Sequence, residues 1–227
     1  MASIKEKIII VVLLISGMLL HVQGKNSGTL QEQDENTLFL TGPSSLLVQQ
    51  AIAGPCLGLG AESNILSVFS VYWSIKEKNL SEDDQQKAWL YLYRYLQQAQ
   101  SFDPWYWDTY RLTNGLLAYQ ESYQSKAVDI LAQGAKARSW DWEMPFTAGF
   151  LAHDQLKDDV RAFHLMKLAI NREGAPPMLV GLAARFLNKT ATESDTVDFL
   201  RAMKKSLPKG YTQYIDKRID ELLHGGF

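Results

Sequence analysis

A single cysteine, Cys56, in 227 residues leaves no partner for an intramolecular disulfide and no thiolate cluster for a metal. Charge of one sign is missing too. Lys and Arg number 23 against 25 Asp and Glu, and the pI is near 6.1, which argues against binding nucleic acid through a basic surface. Sustained alternation of apolar and polar residues is absent, so strand signals are lacking. What the chain does have is 46% hydrophobic and 21% charged residues, enough to bury a core and to exclude wholesale disorder. Six Trp and ten Tyr are a high aromatic content, and these residues are expected to dominate both core and groove.

The N-terminus stands apart. Lys5 and Lys7 precede an uncharged apolar run from Ile8 to Leu20, and Val22 and Gly24 fit the small-residue positions before a cut. Residues 1–24 therefore read as a secretory signal peptide, with a mature start at Lys25, or as an uncleaved N-terminal membrane anchor. No cysteine directly follows the run, so a lipoprotein signal is not expected. Residues 25–42 (KNSGTLQEQDENTLFLTG) are polar and aperiodic and read as a flexible tether. The domain proper is expected over residues 43–227.

Within that domain, breakers separate apolar-periodic stretches of helical length, and the fold class expected is all-α. The helices are placed at Ser44–Ala53, Glu62–Glu77, Ser81 to about Gln100, Trp105–Tyr119, Ser122–Ala137, Pro145–His153, Lys157–Arg172, Pro177–Asn188, Ser194–Ser206 and Tyr211–Leu223. Ser81 with Asp84 resembles a capping box, and Asp103-Pro104 reads as an N-cap followed by proline at the first helical position. Ile65, Phe69, Tyr72 and Trp73 share a stripe at helical spacing.

An internal repeat organises the series. LTNGLLAY (Leu112–Tyr119) aligns with FTAGFLAH (Phe146–His153) at an offset of 34 residues, matching Gly115 with Gly149, Leu117 with Leu151 and Ala118 with Ala152. Ala127 and Ala162 follow as small residues, with Leu131 and Met166 each four further on. Gly181-Leu182-Ala183-Ala184 reads as a third copy, with Gly181 matched to Gly149. A period of about 34 residues with a small residue in each helix and a bulky one four later is the tetratricopeptide (TPR) signature. On this basis Gly115 and Gly149 are expected at close helix crossings.

The segments FDPWYWDTYRL, ARSWDWEMPFTAGFLAH and NREGAPPMLVGLAARF, between Phe102 and Ala184, resemble a family of exported bacterial TPR proteins. GLGAESNILSVFSVYW upstream is similar to that family's first helix, so the likeness spans roughly residues 58–200. It departs from the family in a longer loop at Lys189–Asp195 and a loose match over Gly58–Ser63. The resemblance implies a right-handed TPR superhelix of antiparallel helix pairs. It also implies a periplasmic location, free or anchored to the inner membrane, and a non-enzymatic scaffold role in an envelope assembly such as a secretion, pilus or transport complex.

In a TPR array the first helix of each pair lines the partner-binding groove. The groove residues expected here are Trp107, Tyr110, Arg111 and Asn114, then Thr147, Phe150 and His153, then Leu179, Leu182 and Arg185. Arg111 and Arg185 are the charged anchors, since a guanidinium clamps a carboxylate in two places. The partner expected is a protein or peptide of the envelope, with no nucleic acid, no cofactor, no metal and no catalytic residue. The alternative is a glycan-binding or glycan-processing helical protein. Trp105, Tyr106, Trp107, Trp140 and Trp142 with Asp141 and Glu143 match the aromatic-plus-carboxylate lining of such clefts. An adaptor should bury its Trp residues between repeats and use Asp141 as a cap, whereas a glycan-active protein needs the two carboxylates across an open cleft. His153 and His164 are expected as core or groove residues. Lys204, Lys205, Lys209, Lys217 and Arg218 read as a solvated capping face, and Cys56 as a small buried hydrophobe. Asn188-Lys189-Thr190 is a glycosylation sequon relevant only in a eukaryotic secretory pathway.

Overall fold

The computed structural model describes residues 56–224. The proposed signal or anchor, the tether and the expected helix Ser44–Ala53 lie outside the described residues. Among those described there are nine α-helices, short 3-10 and π turns, and no strand. The all-α expectation holds.

The helices are α1 Leu57–Glu77, α2 Glu82–Phe102, α3 Trp107–Leu112, α4 Gln124–Ala137, α5 Glu143–Asp154, α6 Asp159–Ile170, α7 Met178–Thr190, α8 Glu193–Ser206 and α9 Thr212–Leu223. Sequential neighbours pack together, most extensively α1 on α2, α5 on α6 and α6 on α7. Helix α4 also reaches back to α2, and α7 also meets α9. None of the described helices is long and apolar enough to cross a membrane.

Side-chain caps set the starts of several helices. Ser81 Oγ accepts the Asp84 N–H at 3.2 Å, and Glu82, Asp83 and Asp84 place negative charge on the first turn of α2. Asp158 caps α6 by accepting the Arg161 N–H at 2.9 Å. At α8 a full capping box forms. Thr192 Oγ1 accepts the Asp195 N–H at 3.1 Å, while Asp195 Oδ2 accepts the Thr192 N–H at 3.1 Å.

The helix expected over Trp105–Tyr119 is not a single α-helix. Asp103 Oδ1 accepts the Trp105 N–H at 2.8 Å, which makes a tight turn, and α3 begins only at Trp107. After six residues the backbone widens into a π turn over Thr113–Leu117, with the Ala118 N–H donating to the Thr113 carbonyl at 3.1 Å. Thr113 Oγ1 donates to the Thr109 carbonyl at 2.7 Å and competes for the ordinary helical acceptor. Gly115, a poor helix former, lies inside the widened turn.

Buried positions recur from one helix pair to the next. In α4, α6 and α8 the small residues Ala127, Ala162 and Thr196 are fully buried, and so are Leu131, Met166 and Leu200 four residues on. In α5 and α7 the matching buried set is Met144 with Leu179, Ala148 with Ala183, Gly149 with Ala184, and Leu151 with Phe186. This register places Ala184, not Gly181, opposite Gly149. A Cβ on Gly181 would meet the Tyr214 hydroxyl of α9 at 2.4 Å, so that glycine serves a different crossing.

The glycine expectations divide. A Cβ on Gly149 would lie 3.2 Å from both the Ala162 carbonyl oxygen and Leu165 Cβ, so α5 and α6 do cross closely there. Around Gly115 nothing lies within 4 Å, because the π turn carries it out to the surface. The corresponding close approach uses Gly134 in α4, where a Cβ would sit 2.2 Å from the Tyr110 ring. The stripe expected on α1 also splits: Ile65 is buried, whereas Phe69 and Trp73 are exposed. Cys56 is exposed, not buried, at the position that precedes the first turn of α1.

Candidate partner-binding face

Helix α5 carries an aromatic row at one-turn spacing. The Trp142 and Phe146 ring centroids are 6.0 Å apart, and Phe146 and Phe150 are 6.4 Å apart. Trp142 and Phe146 are half-buried and Phe150 is 47% exposed, so the row rises from the pair junction to solvent. Thr147 beside it is half-buried. On the first helices of the flanking pairs, Trp107 is 38% exposed and Met178 is exposed. Arg111 is exposed and paired with Asp108 at 3.5 Å across one turn of α3. Arg185 is exposed on α7, Asn114 is half-buried, and Leu182 is half-buried.

Three expected residues serve the scaffold. Tyr110 is only 1% exposed. Its hydroxyl donates to the Pro104 carbonyl at 2.5 Å and accepts weakly from Gln100, whose Nε2 also donates to the Ile130 carbonyl at 2.8 Å. Burial pushes the Tyr110 phenol above its ordinary pKa. A side chain so enclosed cannot contact a partner, and Tyr110 is withdrawn from the candidate face. Leu179 is buried as well. His153 is half-buried and ties three helices together. Its Nδ1 lies 2.5 Å from Asp159 Oδ1 on α6, and its ring packs 4.5 Å from Phe186 on α7. Lys189 approaches the other oxygen of Asp159 at 3.8 Å.

The Trp-rich junctions are organised by arginines that sequence inspection passed over. Arg138, just after α4, donates from Nη1 to the Trp105 carbonyl at 2.8 Å and from Nε to Asp141 Oδ2 at 3.0 Å. Its guanidinium also lies 4.9 Å from the Trp107 ring centroid and 5.4 Å from that of Trp140. One repeat later Arg172 donates to the Arg138 carbonyl at 3.0 Å and to the carbonyls of Asp141 and Ala135. Burial lowers the Arg172 pKa from its ordinary value, with the nearby Asp141 charge opposing. The signal was present in the sequence. Arg138 and Arg172 occupy matching places in ARSWDW and NREGAP, and the fork geometry of arginine suits clustered carbonyls.

Asp141 is fully engaged. Oδ2 accepts from Arg138, while Oδ1 accepts the Glu143 N–H at 3.0 Å and the Met144 N–H at 3.4 Å, opening α5. That is the capping role. The tryptophans behave otherwise than an adaptor's sealed junctions require: Trp105, Trp107 and Trp140 are all exposed, and only Trp89 of the six is buried. Trp105 is nonetheless tethered, since its Nε1 donates to the Ala137 carbonyl at 3.1 Å. His164 is exposed beside Phe163, and the Lys204–Asp216 and Arg218–Glu221 pairs occupy the C-terminal surface. No family model matches this chain, and no curated protein matches it either.

Proposed function

We propose that the chain is a non-enzymatic TPR scaffold of the bacterial cell envelope. In this reading the first helices of successive pairs, α3, α5 and α7, hold an extended or helical segment of a protein partner. The observation that carries it is the recurrence of one packing pattern. Ala127, Ala162 and Thr196 recur as buried small residues, and Arg138 and Arg172 as guanidinium ties, each at close to the repeat length of a TPR. Stacking at that period aligns Thr147 and Phe150 with Leu182 and Arg185, and α3 in the preceding pair adds exposed Trp107 and Arg111. Exposed aromatic rings supply contact area, and Arg111 and Arg185 supply charge for a partner's carboxylates. Export, with residues 1–24 either removed or retained as an anchor, places this stripe in the periplasm. The double variant Arg111→Glu, Arg185→Glu, expressed in its native envelope and shown by circular dichroism to be folded, should lose capture of the wild-type partner. Retained capture would move binding off this face.

One observation favours a second reading. The exposed indoles of Trp105, Trp107 and Trp140 offer flat faces on which a sugar ring stacks. With Asp141 committed to Arg138 and to the start of α5, this reading is of glycan binding and not of glycan hydrolysis. Loss of retention on a peptidoglycan column in Trp140→Ala, with partner capture intact, would select it.

A further inference from the structure

Helix α1 presents an apolar face that no described helix covers. Leu59, Leu66, Phe69 and Trp73 are each more than half exposed, and they fall on one side of the helix at spacings of seven, three and four residues. That is the a/d spacing of a helix seam. The opposite side is spent on the fold: Ala61, Ile65 and Val68 are buried, and α1 packs on α2 with a smaller contact to α3. Charge is scarce. In its 21 residues α1 holds only Glu62, Lys76 and Glu77, whereas the 12-residue α9 holds Asp216, Lys217, Arg218, Asp220 and Glu221. One end of the described array has a solvated surface and the other does not.

We propose that this face is a self-association surface: two copies of the chain pair their α1 helices antiparallel about a two-fold axis at Phe69. The charges select the second copy and its direction. Glu62 lies near the start of the stripe, and Lys76, Glu77 and Lys78 give its end a net positive charge. Antiparallel pairing about Phe69 sets Glu62 of each copy opposite Lys76 of the other, seats Leu66 against Trp73, and brings the two Phe69 rings together. A parallel pair would oppose like ends and align the two helix dipoles. The surface is thus complementary to itself under a two-fold rotation, as a symmetric dimer requires. The stripe from Leu59 to Lys76 is about 26 Å long, which makes the contact small for a stable interface, so the dimer is expected to dissociate in the micromolar range.

The arrangement is tested by disulfide crosslinking of the full chain in native membranes, with Cys56→Ser as the background and two differently tagged copies co-expressed. Phe69→Cys, on the axis, should give a mixed-tag dimer of twice the chain mass on mild oxidation. Leu59→Cys should not, because antiparallel pairing holds the two positions about 30 Å apart. Adding Leu66→Glu to Phe69→Cys should abolish the crosslink while leaving the circular dichroism spectrum unchanged. Three outcomes overturn the proposal. One is a Leu59→Cys dimer, with or without a Phe69→Cys dimer, which indicates parallel pairing because that arrangement sets every position opposite itself. Another is a Phe69→Cys adduct of some other mass, which places a different protein on this face. The last is a chain that stays monomeric in every variant.

Discussion

At the scale of single residues, the close crossings are where sequence and structure part most clearly. The spacing of Gly115 and Gly149 was legible, and Gly149 does sit against Ala162 and Leu165. Gly115 looked equivalent because its neighbours Leu117 and Ala118 repeat as Leu151 and Ala152. What the pattern lacked was the π turn over Thr113–Leu117, which carries Gly115 away from the crossing. Gly134→Ala should therefore lower the melting temperature, since its Cβ has to displace the buried Tyr110 ring, at a cost of about 1–3 kcal/mol. Gly115→Ala, facing open space, should leave it unchanged or raise it. Parallel thermal melts followed by circular dichroism compare the two; equal losses would put the crossing elsewhere. Arg172 belongs to the same scale. Replacing it with Met strands the carbonyls of Ala135 and Asp141 at a pair junction, while that of Arg138 keeps the Asp141 N–H, and a loss of about 2–4 kcal/mol is expected in urea unfolding. Arg172→Lys should recover only part of that, because an ammonium cannot span three acceptors.

At the scale of elements, the caps were the most readable features and the ends of α3 the least. Ser81 with Asp84 stood out because the cap and its N3 partner are adjacent in sequence and need no tertiary contact. The α8 box was missed for a plain reason: Thr190, Thr192 and Ser194 all offer hydroxyls, and only the chain path after α7 selects Thr192. Hydrogen bonds from the Thr192 hydroxyl and backbone N–H hold the Asp195 carboxyl below its usual pKa. A carboxylate with a lowered folded-state pKa contributes stability above its unfolded value, near 3.9, and loses that contribution as the pH falls through the folded value. The stability gap between the wild type and Asp195→Ala should therefore be present at neutral pH and close in acid. Melts at pH 7 and in steps down to pH 2 measure it, and a gap that widened in acid would contradict the cap. Independently, Ser81→Ala should cost about 1 kcal/mol by leaving the Asp84 N–H unpaired.

At the scale of the whole molecule, the all-helical class followed from apolar periodicity alone, and the buried alanine–leucine pattern followed from the repeat. The face was only half legible. Helical phase separates one side of α3 from the other to within a residue or two, and on α3 Tyr110 faces inward while Trp107 and Arg111 stay outside. The arginine ties were legible only as the matching places of Arg138 and Arg172, since their acceptors are largely backbone carbonyls, which carry no sequence signature. If α3, α5 and α7 present the binding stripe, the two helices of a single pair must differ in what they touch. The most direct measurement places a photo-crosslinking phenylalanine analogue at Phe150 on α5 or at Leu168 on α6, both exposed and both within one helix pair. Irradiated in the native envelope, the Phe150 chain should form a discrete adduct with a protein partner and the Leu168 chain should form none. An adduct from Leu168 alone would place the functional surface on the second helices and contradict the scaffold described here.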